Sequence, residues 1–208
     1  NQSTVTLSGG SPRGLLYAVY HYLEDVCGVR WWSYYEESVP TLKSLPVNNL
    51  DLSGCPAFAI RCIYSLYARD QGRFAARMRI NSDGDDLERI TPEFGGEKFV
   101  GPPYICHTFS FYIPEDRYFA SHPEWYSLYN GQRHRGIGTA SDATQLCMSN
   151  LELREEMKKR LRDFIRQGEA EAVKNGVRKP YIYNISQNDG PRHCQCSDCA
   201  AIKQRYGG

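Results

Sequence analysis

The chain has 208 residues, enough for one or two domains, and its 25 Lys+Arg against 24 Asp+Glu leave a formal charge of +1. That balance carries no electrostatic footprint for nucleic acid or another polyanion. Apolar residues make up 41 %, and no run approaches the roughly 18 consecutive apolar residues that a membrane helix needs, so no membrane span is expected.

The chain begins at Asn1 inside an apparent strand, Thr4-Val5-Thr6-Leu7, and no charged-then-apolar signal opens it. An export signal, if the protein has one, is therefore expected upstream. Ser11 and Pro12 start a helix, as cap and first residue. Its apolar stripe is Leu15, Val19, Tyr22, Leu23 and Val26, and Gly28 ends it. Val29-Arg30-Trp31-Trp32 reads as a return strand.

Residues 1–53 thus look like the carboxyl-terminal part of a small α/β domain. Pro46, Ser53-Gly54 and Pro56 punctuate a linker. Beyond it, 57–64 reads as a buried strand, 74–80 as a short helix, and 81–101 as a polar segment. The acids of that segment, Asp83, Asp85 and Asp86, lack the spacing of a calcium loop and read as solvated.

Residues 103–109 form a second candidate strand, and Trp125 to Tyr129 with Asn130-Gly131 a hairpin-like insertion, with Trp125 expected to be buried beneath it, stacking on a sugar ring being the alternative. Ser149 and Glu152 make a capping box for a long helix with Leu153, Met157, Leu161, Phe164 and Ile165 on its stripe, ended by Asn175-Gly176. Tyr181 to Ser186 reads as a third strand, followed by the polar turn Gln187-Asn188-Asp189-Gly190, a cysteine cluster and a last helix over 197–206. Alternating strands and helices from about Pro56 imply parallel strands with right-handed crossovers. The expected architecture is α/β, with the end of a small α/β domain (1–53) followed by the first βα units of an incomplete TIM-type (β/α)8 barrel (54–208). A whole barrel takes about 250 residues, so roughly three of its eight strands fit here.

The chain has eight cysteines, three of them within six positions. Cys194, Cys196 and Cys199 are spaced so that three thiolates can converge on one zinc, with His193 or the distant Cys147 as fourth ligand. A Cys194–Cys199 disulfide is the alternative. Either knot would be structural and would pin the neighbouring polar turn. The singly scattered cysteines, Cys27, Cys55, Cys62, Cys106 and, unless it joins the knot, Cys147, read as small apolar packing residues.

Arg13-Gly14-Leu15-Leu16-Tyr17, Gly28-Val29-Arg30-Trp31-Trp32 and Pro56-Ala57-Phe58-Ala59-Ile60-Arg61 resemble the junction between the small amino-terminal domain and the catalytic barrel of α-glucuronidases and β-hexosaminidases. Downstream, His107-Thr108-Phe109, His122-Pro123-Glu124-Trp125-Tyr126, Asn130-Gly131-Gln132-Arg133, Gln145-Leu146-Cys147, Gln187-Asn188-Asp189-Gly190 and the motif from Cys194 to Cys199 resemble the DUF4838 group. Part of that group is glycoside hydrolase family 163, endo-β-N-acetylglucosaminidases that cut complex N-glycans. The resemblance implies a retaining, carboxylate-dependent hydrolase of glycans or glycoproteins. It also implies a bacterial protein that is secreted, periplasmic or at the cell surface, with no catalytic cofactor. In such barrels the acid/base carboxylates commonly stand on later strands, so the proton donor is expected beyond Gly208.

Within that reading Asp189 is the candidate catalytic carboxylate, acting on the glycosidic bond or steering the substrate's acetamido group. An Asx turn that merely satisfies backbone N–H groups is the structural alternative. Asn188, His107, Arg61 and Tyr64 are the candidate substrate-binding residues, at or near strand ends where such barrels gather ligands. The structural alternatives are that Asn188 holds the turn, that His107 is a satisfied structural histidine, and that strand alternation turns Arg61 or Tyr64 outward. The alternative function is a non-catalytic carbohydrate-binding relative.

Overall fold

The computed structural model describes residues 4–47, 50–63, 65, 71–82, 90–103, 106–136 and 145–207. The chain forms two compact units, Asn1–Phe99 and Val100–Gly208. Residues 54–99 therefore group with the amino-terminal segment, and the contacts show why. Arg13 pairs with Glu97, Arg77 with Glu37 and Arg79 with Glu24, while the Arg61 guanidinium lies 5.5 Å from the Tyr17 ring centroid.

In the first unit, helix α1 (Pro12–His21) is capped by Ser11, whose hydroxyl accepts from the Gly14 N–H at 3.0 Å. A π-helical turn, Tyr22–Val26, extends it. The extra residue per turn rotates the apolar stripe. Leu15 is left exposed, whereas Tyr17 and Cys27 are buried. Strands β1 (Arg30–Trp31) and β2 (Glu37–Ser38) pair antiparallel. Cys27, Val29 and Trp31 form a small core with Tyr20, Phe74 and Met78 around it. Helix α2 spans Gly72–Arg77. Thr4–Leu7 takes no strand assignment, and of residues 57–63 only Cys62 bridges, in parallel, to Ser82. Cys55 and Cys62 are exposed, against the expectation of apolar packing. Tyr64 and the acidic cluster at 83–86 lie outside the described residues.

The second unit is organised by helix α5 (Leu151–Asn175), preceded by two single helical turns, α3 (Phe109–Tyr112) and α4 (Glu115–Tyr118). Leu153 and Met157 enter a core with Phe109, Tyr112, Trp125, Tyr126 and Leu146, and Leu161 and Phe164 pack against it. The cap of α5 is Asn150, whose side chain accepts from the Leu153 N–H at 3.0 Å. The expected cap, Ser149, instead turns its hydroxyl to Cys147, Cys196 and Cys199. Gly168 lets this helix approach closely: a Cβ there would stand 2.8 Å from Pro102 and 2.9 Å from the Tyr183 hydroxyl.

Strands β3 (Leu128–Tyr129) and β4 (Gln132–Arg133) form the expected hairpin. Its two-residue turn needs positive φ at both positions, and Asn130 (φ 50°) and Gly131 (φ 75°) provide it. Residues 181–186 contribute one parallel bridge, Val100 to Ile182. Tyr104 and Ile105 lie outside the described residues, while residues 106–108 are irregular and Phe109 already starts α3. His107, at φ 58°, interrupts any extended run there. Cys106 is exposed. Among the described residues, strand pairing is confined to the two hairpin-like sheets and three isolated bridges.

Candidate functional site

The polar turn after residue 186 is held from two sides. On one side is the segment leading into α3. Thr108 and Phe109 donate backbone N–H bonds to Ser186 O at 3.0 and 3.2 Å, and the Ser186 N–H donates to the Thr108 hydroxyl at 2.9 Å. Tyr112, whose phenol is pushed up to about 12 by burial, donates to Asn184 O at 3.0 Å. The Ser110 N–H and hydroxyl reach Asn188 Oδ1 at 3.3 and 3.4 Å. His107 places Nδ1 3.1 Å from Gln187 O. The irregular backbone at 106–108 and the first turn of α3 thus make contacts to 184–188 in place of a strand ladder.

On the other side stands Gln145, 2 % exposed. Its amide nitrogen donates to Asn188 O and Gly190 O, both at 2.6 Å, and its Oε1 accepts from the Asn188 N–H at 3.2 Å. One buried side chain therefore holds the inner edge of the turn by three backbone bonds. Asn188 is 2 % exposed while Asp189 is exposed. The outcome is a carboxylate presented outward from a backbone whose inward polar groups are already satisfied.

Gln145 opens a short extended segment that pairs antiparallel with 125–127: Ser127 N–H donates to Gln145 O at 2.9 Å, Cys147 N–H to Trp125 O at 2.8 Å, and Tyr126 bridges Leu146. Side chains two apart on such a segment point the same way. Leu146 accordingly enters the core while Gln145 and Cys147 face the 188–199 stretch. Cys147, Cys194, Cys196 and Cys199 bring their sulfurs within 4.8 Å of one another. Cys147 Sγ lies 3.6 Å from Cys196 Sγ and 4.0 Å from Cys199 Sγ. His193 is not in this group, so the distant cysteine is the fourth member.

The surroundings divide the thiols: burial raises Cys194 and Cys199, while Cys196 is drawn toward the thiolate. The Leu128 N–H points at Cys194 Sγ (3.4 Å) and the Cys199 N–H at Cys196 Sγ (3.5 Å), with Arg133 Nη1 4.0 Å from Cys194 Sγ. Cys196 also caps helix α6 (Ser197–Tyr206), where the helix end favours negative charge. Burial opposes ionisation of Cys196, but the Ser149 hydroxyl, the Cys199 N–H and the neighbouring thiols outweigh it and bring the thiol down to about 6. Burial pushes Cys194 up to about 12. Four such sulfurs can hold a metal ion. The knot is docked on the hairpin by Gln195 N–H to Leu128 O (2.7 Å) and Asn130 N–H to Gln195 Oε1 (2.9 Å).

A family described as "Domain of unknown function (DUF4838)" matches residues 31–208, which include every residue of this arrangement. The chain belongs to the DUF4838 family. No curated protein and no solved structure matches it.

Of the expected site residues, His107, Asn188 and Asp189 gather at one turn of this DUF4838 chain. Arg61 belongs to the other unit, where its Nε donates to Arg79 O at 2.7 Å and its Nη1 to Phe58 O. Tyr64 lies outside the described residues. Trp125 is buried and stacks on His122 at 4.1 Å, as the burial reading expects. Sequence reasoning assigned no role to Gln145, Thr108 or Ser110. The two-residue offset between Gln145 and Cys147 was the available signal for the first, since a shared face follows from it.

Proposed function

We propose that this chain is part of a glycoside hydrolase acting on N-acetylglucosamine-containing glycans, of the endo-β-N-acetylglucosaminidase type. The observation that carries the reading is the turn at 187–190, where Gln145 and Ser110 fix the inner face and Asp189 stands exposed. A carboxylate acts on a glycosidic bond, or steers an acetamido group toward it, only from a held orientation. In this role Asp189 faces the sugar, His107 offers its imidazole to a hydroxyl from the neighbouring segment, and Asn188 shapes the turn. The associated fold is a (β/α)8 barrel, whose pairing sense agrees with the parallel bridges Cys62–Ser82 and Val100–Ile182. Location outside the cytoplasm rests on the family resemblance alone.

We further propose zinc at the four cysteines. A tetrahedron with Zn–S arms of ~2.3 Å has edges of about 3.8 Å. The Cys147–Cys196 and Cys147–Cys199 separations of 3.6 and 4.0 Å bracket that edge. A disulfide needs sulfurs about 2.05 Å apart, and all four thiols are free. The site is closed by protein ligands, so the ion would supply structure and not chemistry.

The turn itself carries a single carboxylate, whereas hydrolysis takes two groups or one with substrate assistance. A carbohydrate-binding relative is therefore the second reading. The protein as its gene encodes it, incubated with glycoproteins bearing complex N-glycans, tests both by mass spectrometry of released glycans. Release that Asp189→Asn abolishes is expected. Binding without release would establish the second reading, and neither binding nor release would overturn both.

A further inference from the structure

Cys147 and Gln145 sit on one face of one short extended segment, and the two groups they engage, the sulfurs of Cys194 to Cys199 and the carbonyls of Asn188 and Gly190, belong to one continuous stretch of chain. The 145–147 segment cannot slide without disturbing both ends of that stretch. Its other edge is anchored by backbone bonds to Trp125 and Ser127. Where a metal ion draws the four sulfurs together, it fixes Cys147 against the 194–199 loop. That in turn sets the distance across which the Gln145 amide reaches two carbonyls at 2.6 Å.

We propose that Gln145 is the positioning residue through which the metal-loaded cysteine cluster holds the Asn188–Gly190 turn, so that occupancy of the cluster governs the order of the loop that carries Asp189. This rests on the zinc reading above and deepens it by giving the ion a target. The chemistry requires an amide at position 145. A glutamate would keep the acceptor for the Asn188 N–H but would set a carboxylate against two carbonyl oxygens, and a methionine would keep the length and remove all three bonds. The Asn188 N–H, bonded to Gln145 Oε1 at 3.2 Å, is the natural reporter.

The experiment compares wild type, Gln145→Met, Gln145→Glu, Cys196→Ser and zinc-stripped wild type. Three quantities are read: zinc per chain by elemental analysis, the thiolate-to-cobalt charge-transfer spectrum after cobalt loading, and hydrogen exchange at residues 186–190 against that of helix α5. Wild type should hold one zinc with a protected turn. Gln145→Met should keep the zinc and the cobalt spectrum, yet exchange at the Asn188 amide about tenfold faster or more, with α5 unchanged. Gln145→Glu keeps an acceptor but repels the Asn188 and Gly190 carbonyls, so the Asn188 amide should exchange faster than in wild type though less so than in Gln145→Met, and this variant serves if Gln145→Met fails to fold. Cys196→Ser and the stripped protein should lose the metal and the turn's protection together. A turn that stays protected in the Gln145 variants, or in metal-free protein, would overturn the proposal. A wild type that takes up no zinc would overturn the zinc reading itself, a result visible in the metal analysis independently of exchange.

Discussion

Among the described residues, Asn81 in the first unit and Asn188 in the second are almost completely buried, and the two are used in opposite ways. Asn81 Oδ1 accepts from the Arg61 N–H at 2.8 Å and its Nδ2 donates to Ala59 O at 2.8 Å, so the side chain substitutes for a strand ladder between 59–61 and 81. Asn188 is itself the held object: Ser110 bonds its side chain and Gln145 its backbone, and the next residue is an exposed acid. A buried amide that bonds only neighbouring backbone is a structural part. One whose bonds hold the base of an exposed carboxylate marks a site. The same test separates Arg61, which spends its guanidinium on carbonyls of its own unit, from His107, which reaches the turn.

The largest effect expected is at the cysteine knot. With the ion bound, Cys196→Ser removes one of four ligands, and stability should fall by about 3–5 kcal/mol, read as a lower melting temperature and loss of bound zinc. An unchanged melting temperature would move the knot out of the structural class. Asn81→Ala removes the bonds to the Arg61 N–H and the Ala59 carbonyl, groups that solvent partly reaches, and should cost about 1–2 kcal/mol. Its zinc content should remain that of wild type, and a loss of zinc would erase the contrast between the two asparagines. The smallest change in stability belongs to Asp189→Asn, within about 0.5 kcal/mol by chemical denaturation, because the residue is exposed. Glycan affinity or turnover should nevertheless drop at least about tenfold. Wild-type behaviour toward glycans in that variant would reduce Asp189 to a turn residue.

Local signals were legible in the chain where a few neighbouring residues decide the outcome. Ser11-Pro12 starts α1, Asn130-Gly131 makes the hairpin turn, and Gly176 ends α5 at φ 63°. Strand expectations fared differently because an apolar run does not say what it pairs with. Residues 106–108 are irregular and 109–110 open α3, with the donors of Thr108 and Phe109 going to Ser186 and that of Ser110 to Asn188, and 181–186 forms one bridge only. The cap at α5 moved from Ser149 to Asn150 because the serine hydroxyl is taken by sulfurs more than forty residues away in sequence, a demand invisible locally. At the site, the cysteine spacing showed the three clustered ligands. The convergence of Cys147 and the clamp by Gln145 depend on the pairing of 145–147 with 125–127, which only the folded chain reveals.

X-ray absorption at the zinc edge of the loaded protein tests the central claim most directly, namely that the cysteine cluster is a metal centre built beside the Asp189 turn. The account predicts a single shell of four sulfurs at about 2.3 Å, degraded in Cys147→Ser. A shell containing nitrogen or oxygen ligands in place of one sulfur, or protein that takes up no zinc and carries a Cys194–Cys199 disulfide, would contradict it.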